Sequence, residues 1–285
     1  GHQDAVLYGK FELCDILDTA KLDKLFKKHK PDAVMHFSAY SLVGESMTDP
    51  YKYYNNNVSG TLSLLKAMID NDCMKFIFSS SAAIFGNPEY IPIDENHPKD
   101  PINPYGKSKL MVEEILKDFE SAYGLKYVSF RYFNAAGHDP EGELSERHDP
   151  ETHLLPIIMQ AANGQRDSVS IFGNDYETTD GTCIRDYIHV NDLADAHLKG
   201  LDYLNQNESP SAEFNLGNGN GFSVKEVIQQ VKNVTGKEFK VIEEGRRGGD
   251  PSTLIASDKK ASKVLKLQVN YPGLESIIQT LQTVK

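Results

Sequence analysis

Short β-rich runs alternate with amphipathic runs through the first half of the chain. Residues 11–15 read as a strand, and Leu22, Leu25 and Phe26 then mark one face of a helix opening near Asp18. Residues 33–39 form a mostly apolar strand, followed by a long helix carrying Val58, Leu62, Leu65 and Met68. Residues 75–81 are the next strand, 105–123 a helix, and 128–134 a further strand. Strands covered by helices in strict alternation predict a doubly wound parallel sheet of the α/β class.

Beyond about Pro140 the rhythm loosens. Residues 139–152, rich in Glu, Gly, Pro and His, read as a loop. A helix over 154–163, a strand over 168–172, a helix over 191–204 and a strand over 212–216 follow. Ser223 with Glu226 forms a capping box that opens a helix through Val234. Pieces this short predict a smaller lobe beside the main sheet, with no internal repeat and no low-complexity linker.

Composition narrows the class. The 285 residues leave room for one large domain or two small ones, and 39% hydrophobic with 25% charged residues is ordinary for a globular chain. No apolar run approaches the ~20 residues of a membrane-spanning helix. A formal charge of −11 argues against a protein that tracks along nucleic acid. Cys14, Cys73 and Cys183 are widely spaced, which suits a reducing cytoplasm and neither a zinc site nor a disulfide framework. The opening Gly-His-Gln-Asp carries neither initiator Met nor signal-peptide pattern.

Tyr105 and Lys109 stand at i and i+4, which on a helix puts both side chains on one face, one turn apart. An ammonium near a phenol favours the phenolate and lowers the tyrosine pKa towards the range useful for proton transfer. Alone, the pair reads as an exposed helix start, because Tyr-x-x-x-Lys occurs often by chance. Ser79, Ser80 and Ser81 change the picture, because they close a buried strand at the carboxyl edge where open α/β sheets bind ligands. Gly217, Gly219 and Gly221 lack the dinucleotide fingerprint and read as a tight turn. His36 reads as a core histidine, and Asp192 with Asp195 as a solvated first helical turn.

The serine–tyrosine–lysine order is that of a short-chain dehydrogenase/reductase site. Phe-Ser-Ser-Ser-Ala (78–82), Pro-Tyr-Gly-Lys-Ser-Lys (104–109), Arg-Tyr-Phe-Asn (131–134), Ile-Phe-Gly-Asn-Asp-Tyr (171–176), Asp-Gly-Thr (180–182), Arg-Asp-Tyr-Ile-His-Val (185–190) and Asn-Leu-Gly (215–217) together resemble the UDP-glucose 4-epimerase family, in register over nearly the whole chain. The resemblance implies an NAD-binding Rossmann-type domain over 1–138, its first unit missing. Residues 139–285 would be mainly a UDP-sugar lobe, with some segments returning to the main domain. It implies a cytoplasmic homodimer that interconverts UDP-glucose and UDP-galactose by C4 hydride removal and return through a 4-keto sugar, with no metal, nucleic acid or membrane partner. Tyr105 would be the acid/base, Lys109 would hold the nicotinamide ribose and depress the tyrosine pKa, and Ser81 would bond the 4-oxygen. Asp15 and Ile16 would lie at the adenine, and Phe37, Ser38, Ala39, Tyr40, Ser41, Asn56 and Phe133 along the rest of the cofactor. Substrate contacts would come from Ser81, Tyr105, Asn134, His153, Leu154, Ser170, Phe172, Arg185, Tyr187, Arg247, Asp250 and Leu254. Two of these are guanidinium groups from separate segments, able to meet a diphosphate in fork geometry. For Arg185 the bland alternative is a salt bridge to Asp186. Leu254, where bulkier aromatics exclude an acetamido group, would admit UDP-GlcNAc and UDP-GalNAc, unless it is simply a core residue.

The chain departs from the family in places. Nothing before Phe11 carries the Gly-x-x-Gly-x-x-Gly strand–turn–helix, so roughly 35 residues, about one βαβ unit, are expected to be missing. The Trp-rich final helix is also absent, which accounts for zero Trp. Ser38-Ala39 replaces Ala-Gly, Ser41 a cofactor-contacting Lys, and His153 a common Asn. Two functions therefore stand: an epimerase, or a non-catalytic remnant that binds a UDP-sugar without NAD. A 4,6-dehydratase is disfavoured, because Ser81-Ala82-Ala83 replaces the Thr-Asp-Glu of that chemistry.

Overall fold

The computed structural model describes residues 2–206 and 209–282, so Gly1 and Lys285, the outer bounds set from the sequence, lie outside the described residues. In chain order the strands are β1 (Val34–His36), β2 (Lys75–Ser81), β3 (Lys126–Tyr132), β4 (Asn134–Ala136), β5 (Ser168–Phe172), β6 (Ile184–His189), β7 (Ala212–Leu216), β8 (Gly221–Ser223), β9 (Lys240–Glu244) and β10 (Thr253–Leu254). The α-helices are α1 (Thr19–His29), α2 (Val43–Thr48), α3 (Pro50–Tyr53), α4 (Thr61–Asp70), α5 (Pro104–Tyr123), α6 (Leu154–Ala162), α7 (Val190–Asn205), α8 (Val224–Thr235), α9 (Lys259–Val264) and α10 (Leu274–Thr280).

The main sheet runs β1-β2-β3-β7, all parallel. Alternation within β2 explains its double covering. Phe76 and Phe78 join the core under α1, α4 and α5, while Ile77 joins the opposite core under α7 and α9. This is the Rossmann-like α/β architecture expected. Residues 212–216 and the helix before them thus belong to the main sheet, although they follow the loosened stretch in sequence.

At Phe133 the chain leaves that sheet. The strand expected over 128–134 divides there, and β4 pairs instead with β6 in a second sheet, β10-β6-β4, where β8 adds antiparallel to β6. A third, two-stranded sheet pairs β5 with β9. The second lobe's core gathers α6, β5, α8 and α10.

Several expectations need correction. Residues 11–15 are not a strand: no described strand pairs with them, Phe11 and Leu13 are 51% and 74% exposed, and Glu12 instead meets His29 of α1 at 2.8 Å. The ladder of β1 covers only Val34–His36 of the expected 33–39. The single long helix after it is broken, with a π-helical stretch over Tyr54–Gly60 running into α4. Asp192 is not solvated: it is fully buried and accepts from the backbone N–H groups of Asn270 (2.9 Å) and Tyr271 (3.2 Å). His36 is the core histidine expected, 2.9 Å from the Thr61 hydroxyl, with burial pushing its pKa down to about 4.

Candidate active site

The site begins with the way α5 starts. Asn103 caps it by accepting from Gly106 N–H at 2.8 Å, and Pro104 occupies the first turn, so Tyr105 projects from the helix entrance with Lys109 one turn behind. A Cβ on Gly106 would lie 2.4 Å from the Ala83 carbonyl oxygen, so only glycine lets α5 press against the turn that follows β2. That approach brings the Tyr105 side chain close enough to Ser81 for the two to interact electrostatically. Ser81 Oγ also accepts from Ala83 N–H at 3.2 Å, which fixes its rotamer at the strand end.

The electrostatics differ from the simple Tyr–Lys expectation. Burial pushes the Tyr105 phenol up, opposed by the Ser81 hydroxyl. Burial also pulls the Lys109 ammonium down to about 7. Lys109 Nζ donates to the Ser79 carbonyl at 2.6 Å and lies 5.9 Å from the centre of the Tyr105 ring. Desolvation, rather than mutual attraction, therefore governs both groups here.

Around this centre the carboxyl edge gathers the residues expected at a cofactor. Phe37 and Tyr40 are 60% and 42% exposed beyond the end of β1, with exposed Ser38 and Ser41 and half-buried Ala39 between and beside them. Asn56 lies in the π-helical stretch and donates to Asn57 Oδ1 at 3.0 Å. Ile16 packs against the same stretch at Gly60, and Asp15 beside it is exposed, accepting from Leu17 N–H at 2.9 Å. Phe133 is buried with Ala82, next to Ser81.

A second group lies on the neighbouring sheets. Asn134 is registered opposite Tyr187, and Leu254 opposite Arg185. Arg185 is not paired with Asp186. Asp186 is buried and accepts from the N–H groups of Asn218 (2.7 Å), Gly219 (3.0 Å) and Ala256 (3.0 Å), while Arg185 Nη2 lies 3.9 Å from Asp250. A Cβ on Gly217 would stand 2.5 Å from the same Asp186 carboxylate, so the glycine turn is built around that carboxylate. Asp250 also binds Arg247 at 3.1 Å, and the Arg247 guanidinium lies over Phe172 at 4.7 Å. Two guanidinium groups thus share one carboxylate, leaving donors and net positive charge for an anion. Leu254 is half-buried against the cluster that holds Phe133 and Ala82, which links the two groups. Ser170 and His153 stand apart, each turned to a carboxylate: Ser170 donates to Glu244 at 2.5 Å, and His153 Nδ1 lies 2.6 Å from Glu146, just before Leu154 opens α6.

Two positioning elements escaped the sequence reading. Asn57 accepts from Tyr40 N–H (2.9 Å) and donates to the Tyr40 carbonyl (3.0 Å) and to Ser108 (3.1 Å), tying the segment after β1 to α5. Glu113 accepts from Arg131 (2.8 and 3.0 Å) and from Ser80 (2.6 Å), so a buried ion pair locks α5 to β2 and β3. The polarity of the Asn55–Asn56–Asn57 run and of Arg131 within apolar β3 were the available signals.

Residues 2–217 match the family model described as the NAD dependent epimerase/dehydratase family. The UDP-glucose 4-epimerase of Halalkalibacterium halodurans is 51% identical over 98% of this chain and 83% of its own length. A crystal structure of UDP-glucose 4-epimerase from Brucella ovis in complex with NAD is 49% identical with a TM-score of 0.94, covering 98% of this chain and 86% of that one. The UDP-Glc/GlcNAc 4-epimerase of Campylobacter jejuni is 45% identical with a TM-score of 0.81, covering 97% and 84%.

Proposed function

We propose that this chain, which belongs to the NAD dependent epimerase/dehydratase family, interconverts UDP-glucose and UDP-galactose by inverting C4 through a 4-keto sugar. The observation that carries this reading is the meeting of Ser81, Tyr105 and Lys109 at one sheet edge, joined through Phe133 and Leu254 to the Arg185–Asp250–Arg247 group.

The residues fit the nicotinamide end of NAD. A buried ammonium has three donors, and the Ser79 carbonyl takes one of those of Lys109, leaving others for the hydroxyls of a ribose. Phe37, Tyr40 and the Asn56–Asn57 pair line the edge beside it. NAD, when bound, supplies the reversible two-electron oxidation at C4. The protein's own residues hold and move the proton. Tyr105 as phenolate takes it from the 4-hydroxyl and later returns it, Ser81 bonds the 4-oxygen, and Lys109 in its charged form stabilises the phenolate. Arg185 and Arg247 hold the diphosphate, with Asn134, Leu154, Phe172, Tyr187 and Asp250 completing the nucleotide-sugar shell, from which Ser170 and His153 are turned away to Glu244 and Glu146. Asp15 and Ile16 take the adenine end. The setting is a cytoplasmic homodimer, with domains dividing near residue 138. Among the described residues no helix is long and apolar enough to cross a membrane.

The test is NAD-dependent conversion of UDP-galactose to UDP-glucose, read by a coupled dehydrogenase. No turnover by protein shown to contain NAD would defeat the reading. A second reading, a UDP-sugar binder that does not retain NAD, is favoured by one observation: β1 lies at the sheet edge with Phe37 beyond it largely exposed. NAD content measured beside UDP-sugar binding separates the two.

The finer specificity follows from Leu254, half-buried beside Phe133 and Ala82 and shorter than an aromatic. The pocket accepts an acetamido group, so kcat/KM for UDP-GlcNAc stays within ~200-fold of that for UDP-glucose. Leu254→Tyr removes the acetamido activity first. Equal loss of both activities, or none, would show that Leu254 is only core.

A further inference from the structure

The loop 139–153 between β4 and α6 holds a cluster that the epimerase chemistry does not use. Glu146, His148, Glu151 and His153 each offer one ligand atom, and all four atoms lie within 4.8 Å of one another. The separations are 2.6 Å from His153 Nδ1 to Glu146, 3.0 Å from His148 Nδ1 to the same Glu146 oxygen, 3.3 Å from His153 Nδ1 to Glu151, and 3.7 Å from His148 Nδ1 to Glu151. Neighbouring ligand atoms of a tetrahedral zinc site, with bonds of about 2.0–2.1 Å, stand about 3.3–3.4 Å apart. These four contacts, which reach Glu151 through different oxygens, bracket that value, within a set of ligand atoms that all lie inside 4.8 Å of one another.

Two imidazoles and two carboxylates from eight consecutive residues therefore come together within 4.8 Å. The geometry points to a zinc-class divalent cation site made by Glu146, His148, Glu151 and His153. Two carboxylates and two neutral imidazoles carry a net charge of −2, which one divalent ion balances. Paired imidazoles favour a borderline ion over magnesium or calcium, which prefer all-oxygen shells. The backbone is arranged to hold one ligand: Glu151 Oε1 accepts from the N–H groups of Thr152 (2.7 Å) and His153 (2.8 Å), orienting its carboxylate. Close enough to interact electrostatically with Glu146 and Glu151 is His138, whose two ring nitrogens are buried without a hydrogen-bond partner. It stands as a further imidazole beside the four.

The site is structural in character. It would fasten the loop to the first residue before α6, and so fix the entrance of the helix that begins with Leu154. It makes no demand on C4 chemistry and holds whether or not the chain is an epimerase.

The test uses the untagged chain, stripped with a chelator and titrated with zinc against a chromophoric competitor. One equivalent is expected to bind at micromolar zinc or below, with magnesium in excess failing to displace it. His148→Ala changes an exposed loop side chain and so leaves the fold intact, and it should weaken zinc binding by at least about tenfold, as should Glu146→Gln. X-ray absorption of the loaded protein should show two imidazoles among nitrogen and oxygen donors, without sulfur. Absence of binding, a sulfur-containing shell, or an affinity unmoved by both substitutions would each overturn the site.

Discussion

Replacing Lys109 with methionine tests the electrostatics of the centre through folding stability. Lys109 is 4% exposed, and burial pulls its ammonium from 10.5 to about 7. The unfolded chain restores the ordinary value. Between those two pH values the unfolded state binds a proton that the folded state has shed, so stability rises with pH across that window. Below it both states are protonated, and the folded state bears the full cost of a buried charge. Integrating the linkage from about pH 7 to about pH 9 gives about 2 kcal/mol gained by the parent protein. Methionine binds no proton, and every other titrating group is common to both proteins, so the difference between their curves isolates Lys109. Urea denaturation of nucleotide-free protein, followed by circular dichroism at three pH values in that range, measures it. Parallel curves would refute the claim that this ammonium is desolvated. Addition of NAD should flatten the parent's slope, because ribose hydroxyls would then partner the charged form.

Tyr105→Phe should lower kcat by ~10²–10⁴ while leaving nucleotide-sugar affinity nearly unchanged, and turnover within a few-fold of the parent would remove Tyr105 as the acid/base. Arg247→Ala should do the converse: loss of a charge-assisted contact of ~1.5–3 kcal/mol weakens UDP-sugar binding by ~10–100-fold, with kcat held, and a collapse of kcat instead would place Arg247 at the reacting carbon. Glu113→Ala leaves Arg131, 1% exposed, without its carboxylate and should cost ~3–5 kcal/mol of stability in denaturant unfolding. The double variant Glu113→Ala, Arg131→Met should recover much of that loss, and a double variant no better than the single would show that the charge is not the cause.

The parts of this fold that periodicity could find are those whose burial is uniform along the chain. β2 shows it: Phe76, Ile77 and Phe78 are buried on alternate faces because helices cover both, and the bounds Lys75–Ser81 agree with the reading from the sequence. The bounds of β7 and of β5, the latter with strictly alternating burial, also agree with that reading, and the capping box of α8 has both its hydrogen bonds. Residues 11–15 alternate well enough for a strand, yet alternation specifies a face and not a partner, and without a ladder they form no regular element and stay mostly exposed. β6 was missed for the opposite reason. Its Ile-Arg-Asp-Tyr-Ile-His carries two charged residues, and the reason lies elsewhere in the chain, since the amides that satisfy Asp186 come from residues 218, 219 and 256. The π-helical stretch is a still more local failure, because one extra residue per turn erases the 3.6 period while placing Asn57 where it can clasp Tyr40. The candidate site divides along the same line. Ser81, Tyr105 and Lys109 were legible as a local motif on a strand and a helix. The turn of Lys109 towards Ser79, the carboxylate shared by Arg185 and Arg247, and the convergence of the loop histidines depend on contacts between segments or on a loop conformation that no period encodes. Chemistry carried by spacing within one element can be read before folding, whereas chemistry made by the packing of several elements has to be measured as distances.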